Sequence, residues 1–318
     1  MLESVADSVL IHPNVLNAGG LYGGAHSWYV DGLTLDRLFA GVLRLAPPSC
    51  AAIGLIIDKT QPGDQIRILN AANSLRAVSG IPLLGYVVTR EKVAASVTRS
   101  PYGHFLGKVE NPEVLFEAAE MLVAQGANML AVVTAIEGVS AEDLRSHYFQ
   151  SGPNPVGSVE ALISRAITTR TGVPCAHAPM YVSGLGNAME IVDPRAAAEV
   201  ASGSGLPCLL YGLPHSPRAV QESGIGIADL SAIIVPFDCA GGMPALAARR
   251  FDIPLIAVKA NHCAVGVQAD LLNVPSTIVV DSYAEAIAFV ACQKAGVSWE
   301  SIRRPIDILR EFKLGVSE

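Results

Sequence analysis

Charge is scarce in this sequence, and neither sign is concentrated in one region. Only 16% of the 318 residues are charged, and the formal net charge is −7. A protein that binds nucleic acid needs a basic face, which this sequence lacks. No apolar run reaches the roughly 18–20 residues that span a bilayer, and the N-terminus has neither the basic nor the apolar part of a signal peptide. We therefore expect a cytoplasmic protein whose partners are neither nucleic acids nor membranes.

Sequence signatures of disulfides, bound nucleotides and serine hydrolases are missing as well. The six cysteines include no CxxC pair. Cys50, Cys208 and Cys292 lie in apolar runs, where we expect buried thiols in a reducing compartment. The chain has no GxGxxG turn, no P-loop and no GxSxG elbow. Consequently we expect neither a nucleotide cofactor nor serine chemistry.

What the sequence does contain is a regular alternation of two hydrophobic patterns, in a chain that is 51% hydrophobic. Short continuous apolar runs are typical of strands buried on both faces, and the amphipathic segments between them are typical of helices. This alternation predicts an α/β protein with a mostly parallel, doubly wound, Rossmann-like sheet, or two such lobes with a cleft at the carboxyl ends of the strands. We place the lobes at residues 1–150 and 151–318. The predicted strands are residues 8–11, 51–57, 82–88, 129–134, 173–176, 207–211, 232–236, 254–258 and 277–280.

Capping residues and glycines set the bounds of three predicted helices. A polar residue that accepts a hydrogen bond begins each of them, and two of them end at a glycine. The longest stretches with neither pattern, residues 139–158 and 180–192, are predicted to be irregular. The predicted helices are residues 34–45, 111–127 and 282–296, with Thr34, Asn111 and Ser282 as their N-caps.

Ligands of open parallel sheets bind at the carboxyl ends of the strands, and the first predicted strand ends in polar residues. His12, Asn14 and Asn17 follow it within six residues, and glycines come next. An asparagine amide supplies donors and an acceptor that suit carboxylates, although Asn and Gly also favour ordinary turns. We predict a ligand site here, with His12 as an acid–base catalyst or metal ligand and both asparagines as substrate-binding groups.

The stretch "AIIVPFDCAGGMPALAARRF" (232–251) carries the sharpest functional signal. A predicted buried strand ends at Cys239, and two glycines then lead into a helix. Gly241 and Gly242 allow backbone N–H groups at the start of that helix to face an anion. A helix N-terminus lowers the pKa of a thiol, so we expect Cys239 to act as a nucleophile or proton carrier. A buried cysteine in a tight turn is the alternative.

Cys175 and His177 in "VPCAHAPM" lie two residues apart, so on a strand their side chains share one face. A thiol and an imidazole in this relation suit a nucleophile with its base, or two metal ligands. A packed cysteine and a hydrogen-bonded histidine are the structural alternative. In a metal site, for zinc for example, His12 and Asp58 are the further candidate ligands.

Two other segments supply predicted substrate-binding residues. Asn261 follows the predicted strand 254–258, which is the next strand along the chain after the one that precedes Cys239. Consecutive strands of this kind are usually neighbours in the sheet. Glu160 lies in the first turn of a predicted helix behind "SGPNPVGS", where a carboxylate also suits the helix dipole.

The chain resembles the domain-of-unknown-function family 3326 in four motifs. They are "LIHPNVLN", "NPVGSVEALISR", "PCAHAP" and "VPFDCAGGMPALAARRFDIPLIAVKAN". The likeness runs over nearly the whole chain and closes with "AGVSWESIRRPI". It implies that the segments around His12, Gly157–Glu160, Cys175–His177 and Gly241-Gly242 are family features. It implies no activity and adds no catalytic residue. The sequence departs from the family pattern at Cys239 and in "NHCAVGV", so thiol chemistry there would be specific to this member.

From these residues we expect a cofactor-independent isomerase, racemase, lyase or hydrolase that acts on a small carboxylate-bearing metabolite. Cys239, His177 and His12 are the predicted catalytic residues, and Cys263 would be the second thiol of a racemase-like version. One alternative is a metal-dependent hydrolase or lyase with His, Cys and Asp ligands. Another is a binding module without turnover. The apolar composition also predicts a homo-oligomer.

Overall fold

The computed structural model describes residues 1–16, 24–150, 152–180, 191, 197, 202–269, 271, 274–306 and 308–312. Over these residues the chain is an α/β protein with a mostly parallel multi-strand sheet. The strands are β1 (Val9–Ile11), β2 (Ser27–Tyr29), β3 (Arg44–Ala46), β4 (Ile53–Ile57), β5 (Leu83–Val88), β6 (Ala95–Arg99), β7 (Phe105–Val109), β8 (Met129–Glu137), β9 (Cys175–Met180), β10 (Arg218–Val220), β11 (Ile233–Pro236), β12 (Leu255–Val258) and β13 (Thr277–Val280). The α-helices are α1 (Pro13–Leu16), α2 (Gly32–Phe39), α3 (Pro62–Ser79), α4 (Pro112–Ala124), α5 (Ala141–Gln150), α6 (Gly157–Thr171), α7 (Leu206–Gly212), α8 (Gly242–Phe251) and α9 (Tyr283–Ala295).

Two sheets form the framework of the described chain. The large sheet has the order β5-β4-β8-β6-β7, and β9 also pairs with β8. Its pairings are parallel, with the exception of β6 and β7. The small sheet, β11-β12-β13, is parallel throughout. The large sheet therefore takes strands from both sides of residue 150, and the change to the small sheet comes after β9.

The apolar runs that predict buried strands do form the centre of the large sheet. Because side chains alternate between the faces of a strand, Ile56 and Val132 pack against α4 and α6 on one face. Ile57 and Val133 pack against α3 and α7 on the other. Both faces of the central strands are therefore covered by helices, which explains why their sequence is apolar throughout and not alternating.

Helix α2 lies between the two sheets. Its Leu35 and Phe39 pack into the core of the small sheet, where they join Ala245 and Ala248 of α8. The same helix contacts α6, which covers the large sheet. Since α2 packs against α6 of the large sheet and α8 of the small sheet, it lies close to residues from distant parts of the sequence.

Three predicted elements are wrong in type or extent. The helix predicted over residues 34–45 ends at Phe39, because Gly41 adopts a φ of 76° and the chain then forms β3. Residues 207–211, predicted as a strand, belong to α7, which has proline in its first turn. Residues 141–150 form α5 inside a stretch predicted to be irregular, and residues 181–190 of the other such stretch lie outside the described chain.

The predicted caps and cysteine environments have mixed outcomes. Ser282 is confirmed as an N-cap, since its hydroxyl accepts a hydrogen bond from the backbone N–H of Glu285. Asp31 caps α2 in place of Thr34, and the Asn111 side chain donates to the Lys92 carbonyl instead of capping α4. Cys50 is exposed, contrary to the prediction, whereas Cys292 is buried and Cys208 is half-buried. None of the helices in the described chain is long and apolar enough to cross a membrane.

Candidate functional site

A polar cluster lies where the N-terminal end of α2 meets α6. His12 follows β1, and Arg165 projects from α6. A Cβ built on Gly32, the first residue of α2, would lie 3.1 Å from Nε2 of His12 and 3.4 Å from Nη2 of Arg165. The imidazole and the guanidinium therefore converge on one point beside the helix N-terminus. We call the group of His12, Asp31, Gly32, Asp36 and Arg165 the α2 site.

An ion pair holds the guanidinium of the α2 site in place. Nη2 of Arg165 lies 2.7 Å from Oδ2 of Asp36, and the two side chains are 42% and 33% exposed. A guanidinium carries five N–H donors, more than one carboxylate can engage. Arg165 is therefore both anchored on the protein and able to bind a second anion from solvent.

The His12 imidazole is held as a neutral hydrogen-bond donor. Its Nδ1 accepts a hydrogen bond from the backbone N–H of Asn14 at 3.2 Å, which places the proton of the neutral ring on Nε2. Burial, together with the charge of Arg165, lowers the pKa of His12, and Asp36 opposes this shift. At neutral pH the ring thus presents Nε2–H toward Gly32. The exposed Asn14 acts here through its backbone, and Asn17 lies outside the described residues.

Asp31 brings a buried carboxyl group to the α2 site. It is 4% exposed, and its Oδ1 accepts a hydrogen bond from the backbone N–H of Thr34 at 3.1 Å. Burial raises the pKa of Asp31, while the hydrogen bonds from Thr34 and Leu33 and the charge of Arg165 oppose the rise. A carboxylate whose pKa is raised is a stronger proton acceptor than one in solvent.

Glu160, a predicted substrate-binding residue, lies near the same region at the start of α6. Burial raises the pKa of Tyr29 strongly, and Cys208, Glu160 and Asp31 add to the rise, so both carboxylates lie near the Tyr29 ring. Nδ2 of Asn154 lies 3.4 Å from Oε2 of Glu160. The loop before α6 and the end of β2 therefore meet close to the α2 site.

His177 and Cys175 share one face of β9 as predicted, but that face is covered by α6. Nε2 of His177 lies 2.8 Å from Oγ1 of Thr134, and its buried Nδ1 has no hydrogen-bond partner among the described residues. Burial lowers the pKa of His177 to about 3. Burial also raises the pKa of Cys175, which belongs to the core between the sheet and α6. Both side chains lie in the protein interior and not at an open strand end.

The neutral state of His177 makes the stability of the protein depend on pH. An unfolded histidine titrates near 6.5, so between that pH and about 3 the unfolded chain binds the extra proton. As the pH falls from 7 to 5, we expect the free energy of unfolding to decrease by about 2 kcal/mol because of this group. The full contribution of His177 to stability is present above pH 6.5. Urea unfolding of the protein and of His177→Gln at both pH values measures the difference. The variant should lose this part of the pH dependence, and equal slopes in both proteins would contradict the assignment.

Asp58, a predicted metal ligand, binds backbone groups instead. Its Oδ1 accepts from the N–H of Val93 at 2.9 Å, and its Oδ2 accepts from the N–H of Ala135 at 3.2 Å. Its side chain therefore ties the end of β4 to β8 and to the segment before β6. In the described part of the chain, no group of three or more His, Cys, Asp or Glu side chains is arranged to hold a metal ion.

Cys239 lies beyond the carboxyl end of β11, in the turn before α8. Gly241 caps this helix without a side chain, and Gly242 adopts a φ of 66°, which favours glycine. The expected lowering of the Cys239 pKa is wrong. Burial, the thiol of Cys263 and the carboxylate of Asp238 raise this pKa to about 11, so the thiol is protonated at neutral pH.

Apart from the buried His177, the predicted site residues that the structure describes fall into two groups. His12 and Glu160 lie near α2 and the large sheet, whereas Cys239, Gly241, Gly242 and Asn261 lie at the carboxyl edge of the small sheet. Nδ2 of Asn261 donates to Oη of Tyr283 at 2.7 Å.

Sequence reasoning missed Asp31 and Arg165. Asp31 follows the apolar stretch Trp28–Val30 directly, which is a usable strand-end signal. Arg165 lies in the middle of a helix and has no local signal, because only the packing of α2 against α6 brings it to the site.

Comparison with known proteins agrees with the resemblance seen in the motifs. The family described as "Protein of unknown function (DUF3326)" matches residues 1–303. An uncharacterized lipoprotein of Synechococcus sp. is 31% identical over 305 residues, which cover 93% of this chain and 84% of that protein. No solved structure matches the chain. The expected family is confirmed, and neither name states an activity.

Proposed function

The chain belongs to the DUF3326 family, and from the geometry of the α2 site we propose that it is a cofactor-independent enzyme that acts on a small carboxylate-bearing metabolite by acid–base chemistry. The convergence of His12 Nε2 and Arg165 Nη2 beside Gly32 carries this proposal. A guanidinium and an N–H donor that point to one place suit a carboxylate or a developing oxyanion.

Each side chain of the α2 site has a distinct role in the proposed reaction. Arg165, held by Asp36, binds the substrate carboxylate. His12, as a neutral imidazole, donates a hydrogen bond from Nε2–H to the substrate oxygen on which negative charge develops. Asp31 accepts a proton from the carbon next to the carboxylate, because burial raises its pKa. This set favours an isomerase, racemase or lyase that begins by removing a proton.

The proposal also includes the sheet arrangement, the oligomeric state and the cellular location. We infer that the two sheets form a doubly wound, Rossmann-like arrangement, which is supported by the helices on both faces of the large sheet. We also propose a cytoplasmic homo-oligomer. The Synechococcus relative is named a lipoprotein, so cell fractionation is the measurement that separates a cytoplasmic from a membrane-attached location.

Filling the space beside Gly32 tests where the carboxylate binds. The Cβ of Gly32→Ala would occupy the point on which the His12 and Arg165 nitrogens converge. We expect at least one compound from a panel of lactate, malate, succinate and glutamate to bind the unmodified protein in calorimetric titration. Gly32→Ala should weaken that binding by roughly tenfold or more, which corresponds to about 1.4 kcal/mol or more.

Gly63→Ala is the matched control for this experiment. Gly63 also lies in the first turn of a helix, α3, and a Cβ placed on it would meet no atom within 4 Å. We expect both variants to fold, since alanine is the better helix former, and Gly63→Ala to bind like the unmodified protein. The proposed site is wrong if Gly32→Ala binds the same carboxylate with unchanged affinity, or if no carboxylate in the panel binds.

A further inference from the structure

The turn before α8 and the loop after β12 bring two cysteines together at the edge of the small sheet. Oδ1 of Asp238 accepts a hydrogen bond from the backbone N–H of Cys263 at 2.8 Å. The N–H of Ala240 donates to the carbonyl of Val267 at 2.9 Å, and Cys239 forms an isolated parallel bridge with Val267. These contacts hold the loop against the turn. The thiol of Cys263 lies close enough to Cys239 to raise the pKa of the Cys239 thiol.

The backbone around this pair suits a covalent bond between the two sulfur atoms. The cysteines follow neighbouring parallel strands, whose last paired residues are Pro236 and Val258. Asp238, which directly precedes Cys239, accepts the hydrogen bond from the backbone of Cys263, so the two chain segments lie side by side where the cysteines stand. Both cysteines are half-buried, so neither is enclosed in the core.

We propose that Cys239 and Cys263 form a reversible disulfide, which hydrogen peroxide closes and a small dithiol reopens. One thiol loses its proton and attacks a peroxide oxygen, which gives a sulfenic acid and one water. The other thiol attacks the sulfenic sulfur, forms the Sγ–Sγ bond and releases a second water. The two thiols lose two electrons and two protons in total, and one hydrogen peroxide becomes two waters.

The surroundings of the pair determine how this disulfide behaves. Burial, the neighbouring thiol and the carboxylate of Asp238 keep the pKa of Cys239 high, at about 11, so the Cys239 thiol is protonated at neutral pH. When closed, the disulfide fixes the loop from Cys263 to Val267 beside Gly241. The pair lies at the edge of the small sheet and takes no part in the proposed reaction of the α2 site.

Counting free thiols after oxidation tests the disulfide directly in the whole 318-residue chain. The protein is treated with hydrogen peroxide at a few equivalents, denatured and labelled with N-ethylmaleimide. Its mass then gives the number of free thiols. We expect two labels fewer than the six of the reduced protein, and full recovery after dithiothreitol. Cleavage before aspartates separates Cys239, Cys263 and Cys292 into three peptides, and the first two should appear joined.

Cys239→Ser and Cys263→Ser should each prevent formation of the joined peptide, whereas Cys50→Ser, at an exposed cysteine, should leave it unchanged. The measurement on the unmodified protein does not depend on whether the serine variants fold. Six labels after peroxide treatment would overturn the proposal. So would a joined peptide that contains another cysteine, or label loss that dithiothreitol does not reverse.

Discussion

Replacing Asp58 by alanine is expected to lower the free energy of unfolding by about 3–5 kcal/mol. The side chain is 2% exposed, and its two oxygens accept hydrogen bonds from the N–H groups of Val93 and Ala135. Alanine removes both acceptors and admits no protein group in their place. Two backbone N–H groups in the interior would then lose their partners, and each such loss costs about 1–3 kcal/mol.

Urea unfolding of three variants separates this effect from a general loss of charge. Asp58→Asn keeps one acceptor oxygen and nearly the same shape, so we expect it to lose about half as much stability as Asp58→Ala. Asp281→Ala removes a carboxylate that is 75% exposed and paired with Lys259, and should cost less than about 1 kcal/mol. A change below 1 kcal/mol in Asp58→Ala would show that the hydrogen bonds to Val93 and Ala135 do not support the sheet.

The sequence predicts the buried strands of this fold well, because continuous apolar runs have one dominant explanation in an α/β chain. β4, β8 and β12 lie where their apolar runs predict. Short strands such as β2 and β3 are missed, since a run of three residues gives no period. The segment of α7 is apolar on all sides because it packs into the core, and this makes it resemble a buried strand.

The candidate site is only partly predictable, because local sequence signals do not report which helices pack together. His12 stands out because it follows a strand directly, and the structure places it at the α2 site. Its partner Arg165 is more than 150 positions away in the chain and becomes a neighbour only through helix packing. His177 and Cys239 also follow the strand-end rule, yet one is covered by α6 and the other has a raised pKa. Strand-end position predicts which residues are near a sheet edge, but not whether a helix covers them.

Asp31 has a proposed catalytic role in proton transfer, which can be separated experimentally from its structural role as the N-cap of α2. As an N-cap, Asp31 accepts a hydrogen bond from the backbone of Thr34, and asparagine caps helices about equally well. Asparagine does not accept a proton from carbon. Asp31→Asn should therefore keep the helix, the stability and the affinity for the carboxylate, and lose proton transfer.

Incorporation of deuterium from solvent tests the central claim most directly. The carboxylate that binds best is incubated with the protein in D2O, and proton NMR follows the signal of the hydrogen on the carbon next to the carboxylate. We predict that the unmodified protein exchanges this hydrogen and that Asp31→Asn slows the exchange by roughly 10²–10⁴-fold with unchanged affinity. A carboxylate that binds at the α2 site without exchange would contradict the account and identify a binding module, and so would equal exchange rates in the two proteins.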